Sequence, residues 1–184
     1  MKRIVGASAG GLLFVMLLVL AARAEPSGPG YVDFSKLADI AEDSTVEINV
    51  HGVVLSIASR IAGKSEPEAA ELLRSLKHIR VNVYKLNDKN REAIAERIKS
   101  MRTELAAQNW ERIVTVKEKN DDVGVYLKTR GEEAIEGIVV TVIEGKGEAV
   151  FVNIVGDIKP DQLGAIADKL EIEPLKKIAR KAKK

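Results

Sequence analysis

The sequence predicts an α+β fold, with helices packed on one face of a largely antiparallel sheet of about six strands. Three observations predict it. Several segments alternate strictly between apolar and polar residues, the period of a strand with one covered face. Others repeat apolar residues at three- and four-residue spacing, the period of a helix. The last four alternating segments follow one another across short polar or glycine turns, which implies antiparallel hairpins rather than crossovers.

In chain order, "DFSKLADIAED" sets Phe34, Leu37, Ile40 and Ala41 on one helical face. "TVEINVH" alternates, with Val46, Ile48 and Val50 on one side and Glu47, Asn49 and His51 on the other. "GVVLSIASRIA" reads as a short helix ending at Gly63. "SEPEAAELLRSLK" opens with Ser65 and Glu68 in capping-box spacing and Pro67 in the first turn. Its Ala69, Leu72, Leu73 and Leu76 form a stripe to be buried. "HIRVNVYKL" alternates again, with Ile79, Val81 and Val83 inward and Arg80, Asn82 and Tyr84 outward. Asn87 or Asp88 caps the longest helix, whose stripe is Ile94, Ile98, Met101 and Leu105. Beyond Trp110, which reads as a core plug, come "ERIVTVKE", "VGVYLKT", "IVVTVIE" and "AVFVNIVG". "PDQLGAIADKL" closes the body as a helix.

The two ends of the chain differ in character from this body. Residues 1–24 carry Lys2 and Arg3, then an uncharged run from Ile4 to Ala22, then Ala22-Arg23-Ala24. That is the layout of a signal peptide cleaved before Glu25, and the small-residue site favours removal over retention as an anchor. Residues 25–30 read as a flexible lead-in, 31–172 as a single α+β domain and 173–184 as a basic helical tail. The segment 1–24 holds three of the 29 basic residues and none of the 27 acidic ones, and the tail holds six more basic residues. The body between them is therefore acidic, at −7 from Glu25 to Glu173. Nucleic-acid binding loses its electrostatic basis, and the basic pI of the whole chain misleads. About 160 residues suffice to bury a core, and with no cysteine the domain is held by neither disulfides nor thiolate metal sites.

Candidate functional residues come from the polar side of the first two strands. If both strands share a sheet, Glu47, Asn49, His51, Arg80, Asn82 and Tyr84 lie together on the uncovered face, either as an ordinarily solvated sheet face or as a ligand or partner surface. Tyr126, Lys128 and Thr141 join them if their strands keep phase. Glu47 and His51 stand about 13 Å apart along one strand, too far to chelate one ion. His78 is expected at a solvated helix-to-strand junction. Glu132, Glu133 and Glu136 read as a solvated acidic loop. No nucleophile elbow, zinc-protease motif or phosphate loop is present, so no catalytic residue, metal or cofactor is assigned. In the tail, Lys176, Lys177, Arg180 and Lys181 surround a short apolar stripe. They could touch an anionic surface, or simply complement the dipole of their own helix.

"VEINVHGVVLSIASRIA", "LLRSLKHIRVNVYKL" and "GIVVTVIEGKGEAVFVNIVGDI" resemble a bacterial family catalogued as domain of unknown function 4252, over Tyr31 to about Leu170. The resemblance implies an exported, envelope-associated α+β protein with no established activity, cofactor or catalytic residue. Many relatives carry a lipoprotein cysteine after the signal segment; this chain does not, which favours a soluble periplasmic or secreted form. The expectation is a non-catalytic binding module for an envelope protein or small ligand, acting through the polar face or an exposed strand edge. The alternatives are an enzyme built on that face and a self-associating structural protein.

Overall fold

A computed structural model describes residues 28–41, 44–118, 121–144 and 147–169. The expected signal segment, the start of the lead-in and the basic tail with Lys176, Lys177, Arg180 and Lys181 lie outside those residues. The elements run α1 (Ser35–Ala41), β1 (Ser44–His51), α2 (Gly52–Ala62), α3 (Pro67–Ser75), β2 (Leu76–Lys85) and α4 (Arg91–Ala107). Four strands follow: β3 (Glu111–Glu118), β4 (Asp121–Arg130), β5 (Ala134–Glu144) and β6 (Glu148–Ile158). A 3₁₀ turn at Pro160–Gln162 leads into α5 (Leu163–Lys169).

The six strands form one sheet in the order β1-β2-β6-β5-β4-β3, and every neighbouring pair is antiparallel. Strands β3 to β6 make a continuous meander, as the turn spacing predicts. The β1–β2 pair joins the meander only through β6. The α+β class and the antiparallel pairing agree with the sequence expectation.

The helices, expected on one face, cover both. On the first face Val125, Ile138, Val140, Val152 and Ile154 pack with Leu55 of α2, Leu72 of α3 and Ile166 of α5. On the second, Tyr84, Tyr126, Val139 and Phe151 pack with Phe34 and Leu37 of α1 and with Ile94, Ile98, Met101 and Leu105 of α4. The physical cause lies in β5 and β6, which are apolar almost without alternation and so need cover on both sides. Registers running Asn82↔Phe151↔Thr141 and Val81↔Val152↔Val140 assign each residue to its face.

Local starts and stops differ in detail. Glu66, not Ser65, stands at the N-cap of α3, without a side-chain cap, and Pro67 takes the first turn. The cap position of α4 is Asn90 rather than Asn87 or Asp88. Asn87 and Asn90 instead brace each other: the Asn87 N–H donates to Asn90 Oδ1 (2.9 Å), and the Asn90 N–H donates to Asn87 Oδ1 (3.0 Å). At the far end Asn109 turns left-handed (φ 59°), and the Trp110 N–H returns to the Leu105 carbonyl at 3.0 Å. Trp110 is thereby folded into the core, as expected.

Asn153, fully buried on β6, ties the start of the domain to the sheet centre. Its Oδ1 accepts the Val32 N–H (2.9 Å), and its Nδ2 donates to the carbonyls of Gly30 (2.9 Å) and Ile138 (3.2 Å). Gly30, the last residue of the lead-in, has a φ of +88°, and a Cβ there would overlap the Glu136 carbonyl.

Candidate interaction surface

The register of β1 on β2 fixes the site. Glu47 lies opposite Asn82, Asn49 opposite Arg80, and His51 opposite His78. The six candidate residues therefore do share one face, the face of α1 and α4. Two of them are not open on it. Asn82 and Tyr84 are 2% and 1% exposed, because α1 and α4 roof the second strand and Tyr84 packs edge-on to Phe151. Burial raises the Tyr84 pKa above its ordinary value. Thr141 and Tyr126 keep phase with this face but are buried. Lys128 reaches back to the Gln108 carbonyl.

The open part is a small polar cluster at the β1 end. His78, expected at a solvated junction, is 3% exposed, because Tyr31 stacks on it from one direction (5.8 Å) and His51 from another (4.7 Å). Its Nε2 is hydrogen-bonded to Asn49 Oδ1 at 2.5 Å, whereas Nδ1 is buried without a partner. Burial first, then the neighbouring His51 and Arg80, hold the His78 pKa below its ordinary value. Arg80 donates from Nε to Asn82 Oδ1 (3.1 Å) and lies 3.9 Å from both Asp33 and Glu47. Burial raises the Asp33 carboxyl, but hydrogen bonds from Ser35 and the Arg80 charge outweigh it and leave the pKa lowered. Apart from the His78 Nδ1, the cluster is internally paired, with Arg80 facing both Asp33 and Glu47.

Neither His51 nor His78 lines the clefts that flank the sheet. One cleft, of about 290 Å³, lies between the first described residues and α4, among Asp33, Lys36, Arg97 and Glu104. The other, of about 310 Å³, lies between α3, α5 and the sheet, among Leu72, Leu73, Leu76, Ile79 and Ile166. The acidic run splits: Glu132 and Glu133 are exposed in the turn, while Glu136 faces Arg130 at 3.7 Å.

The largest unsatisfied feature is apolar, on the opposite face of β1. Val46 and Ile48 of the strand and Val53, Val54, Ile57 and Ile61 of α2 are between 43% and 75% exposed. Together they present on the order of 600 Å² of aliphatic surface, at the top of the range for a monomer's largest patch. The strand beside it is an edge: β1 pairs only with β2, so one side of its backbone is unpaired within the sheet. The two sheet edges differ in chemistry. β3 carries Glu111, Arg112, Lys117 and Glu118, the charges that keep an edge from pairing, whereas β1 has Glu47 as its one charge and no Lys or Pro. Sequence reasoning passed over α2, although the signal was present. "GVVLSIASRIA" is apolar nearly all round, and such a helix is either buried on every side or exposes a surface for something to cover.

Among the described residues no helix is long and apolar enough to cross a membrane. No curated protein and no solved structure matches the chain. A family model does match, over residues 39–166. That span takes in every element from β1 to β6, and the chain belongs to the family described as domain of unknown function (DUF4252).

Proposed function

We propose that this is an exported envelope protein that works as a non-catalytic interaction module, through the β1 edge and the outer face of α2. The observation that carries the reading is the juxtaposition of an unpaired strand edge bearing a single charge, Glu47, with six exposed aliphatic side chains of β1 and α2. Main-chain pairing at such an edge supplies affinity, and the alternate side chains supply specificity. The polar cluster of Glu47, Asn49, His51 and Arg80 borders the same edge and would fix the register of whatever pairs there. Export rests on residues 1–24, whose charge, apolar run and small-residue site have the layout of a signal peptide.

The test is cross-linking in cells that make the protein, comparing the natural chain with Val53→Asp/Ile57→Asp and with Glu47→Gln/His51→Gln. Both pairs sit on exposed positions, so folding is preserved and checked by circular dichroism. Loss of a specific cross-linked species in the apolar pair establishes the surface. Equal capture by all three forms sinks the reading. Asn82 and Tyr84 make poor probes here, since both are buried. Export is tested separately, by the N-terminal residue of the protein recovered from the envelope fraction: Glu25 is expected, and Met1 would contradict removal.

A further inference from the structure

We infer that the partner of the β1 edge is a second copy of this chain, joined by antiparallel β1–β1 pairing about a twofold axis through Ile48. The inference rests on the interaction reading above and names the occupant of that surface.

Symmetry limits the choices. A twofold axis normal to the sheet keeps the α2 face of both copies on the same side, so residues facing each other across the junction must share a side of the strand. Every allowed register is then centred on a residue. Centring on Glu47 would set two carboxylates directly opposite, which is unfavourable. Centring on Ile48 pairs nearly the whole of β1. Ile48 meets Ile48 of the second copy and Val46 meets Val50 on the α2 side, while Glu47 meets Asn49 on the polar side; Thr45, at the register shift before Val46, comes opposite His51. It also sets Glu47 diagonal to both His51 and Glu47 of the second copy, so the two carboxylates are offset along the strands rather than directly opposite. No like charges oppose one another in this register.

The area agrees. Each copy brings on the order of 600 Å² of exposed aliphatic surface, and the newly paired backbone adds to it. Two copies then approach the roughly 1,600 Å² of a standard stable interface. The two α2 helices flank the junction on one side, so Val53, Val54, Ile57 and Ile61 are brought toward their own counterparts, as an isologous contact requires. The charged β3 edge explains why the sheet extends once and does not polymerise.

The chain has no cysteine, so a single introduced one reports only on contact between copies. Protein recovered from the envelope is compared as Ile48→Cys and Thr45→Cys under mild oxidation, with sedimentation velocity of the natural chain and of Ile57→Glu. Residues at the axis come within disulfide range, whereas Thr45 and its counterpart are separated by about 20 Å along the strand. The expected result is a disulfide dimer in more than about half of the Ile48→Cys protein and almost none of Thr45→Cys. The natural chain should also sediment as a dimer that Ile57→Glu, still folded, converts to monomer. A natural chain that sediments as a monomer overturns the second copy. If Ile57→Glu then loses a heterologous cross-link, the interaction reading survives without it. If instead Ile48→Cys is inert even to a small thiol reagent, the surface is covered by the chain's own terminal residues and both readings fall. Equal cross-linking of the two cysteine variants overturns the register.

Discussion

The imidazole rings of His51 and His78 lie 4.7 Å apart and within 7° of parallel, facing each other across the first strand pair. One is exposed and the other buried. Desolvation of the buried ring, and then the neighbouring His51 and Arg80, depress the His78 pKa. The unfolded chain therefore takes up a proton at His78 before the folded chain does. By linkage, stability is full above the ordinary histidine value of about 6.5 and is lost as the pH falls from there toward the depressed value. The urea midpoint should drop between roughly pH 7 and pH 5, and His78→Phe should flatten that slope. A slope unchanged in the variant would remove His78 as its source.

Asn153 satisfies three backbone groups from one buried side chain. Asn153→Leu keeps the volume but strands the Val32 N–H and the Gly30 carbonyl, at a cost of about 3 kcal/mol. Asn153→Asp keeps the acceptor and loses the donors, and its buried charge should make it no better. Urea denaturation of the three proteins measures this directly; a loss under about 1 kcal/mol for Asn153→Leu would mean that residues 30–32 are not held by it.

Two glycines with positive φ make a matched pair. Gly30 (φ +88°) has no room for a Cβ, whereas Gly131 (φ +59°), in the β4–β5 turn, meets nothing within 4 Å. Gly131→Ala should cost about 1 kcal/mol, from conformation alone. Gly30→Ala should cost at least twice as much, about 2–4 kcal/mol, or prevent folding. Equal thermal shifts in the two variants would contradict the packing around Gly30.

Leu55 and Ile57 stand two residues apart on α2, one 3% and the other 55% exposed. Leu55→Ala should lower stability by about 3 kcal/mol through the cavity that it leaves. Ile57→Ala, measured in dilute solution, should stay within about 0.5 kcal/mol of the natural chain. A large loss for Ile57→Ala would show that the outer face of α2 is already covered within the monomer.

The sequence legibly carried the elements and the register-level grouping of the site, and it missed their cover. Strict alternation in "TVEINVH" and "HIRVNVY" was enough to place Glu47, Asn49, His51, Arg80, Asn82 and Tyr84 on one face, and the β1–β2 pairing agrees. Alternation says nothing about whether a helix from elsewhere in the chain crosses that face. Tyr84 and Asn82 look solvated because their types tolerate water, yet Phe34, from a segment far away in sequence, lies in the same buried cluster as Tyr84. The burial of His78 was hidden for the same reason, since Tyr31 reaches it across a separation that no local pattern records. Conversely, the exposure of Val53, Val54, Ile57 and Ile61 was unreadable because an apolar residue is expected inside by default.

The junction of β2 with β6 has a consequence for the order in which the chain can fold. The four-strand meander closes through short turns, so its contacts are local and form early once its residues exist. The β1–β2 pair, joined through α2 and α3, is made first but has no sheet to join until β6, the last strand, has been made. Its pairing with β6 spans the whole of α4, β3, β4 and β5 and carries a correspondingly larger loop-closure cost. A chain with this topology cannot complete its sheet until its last strand is available.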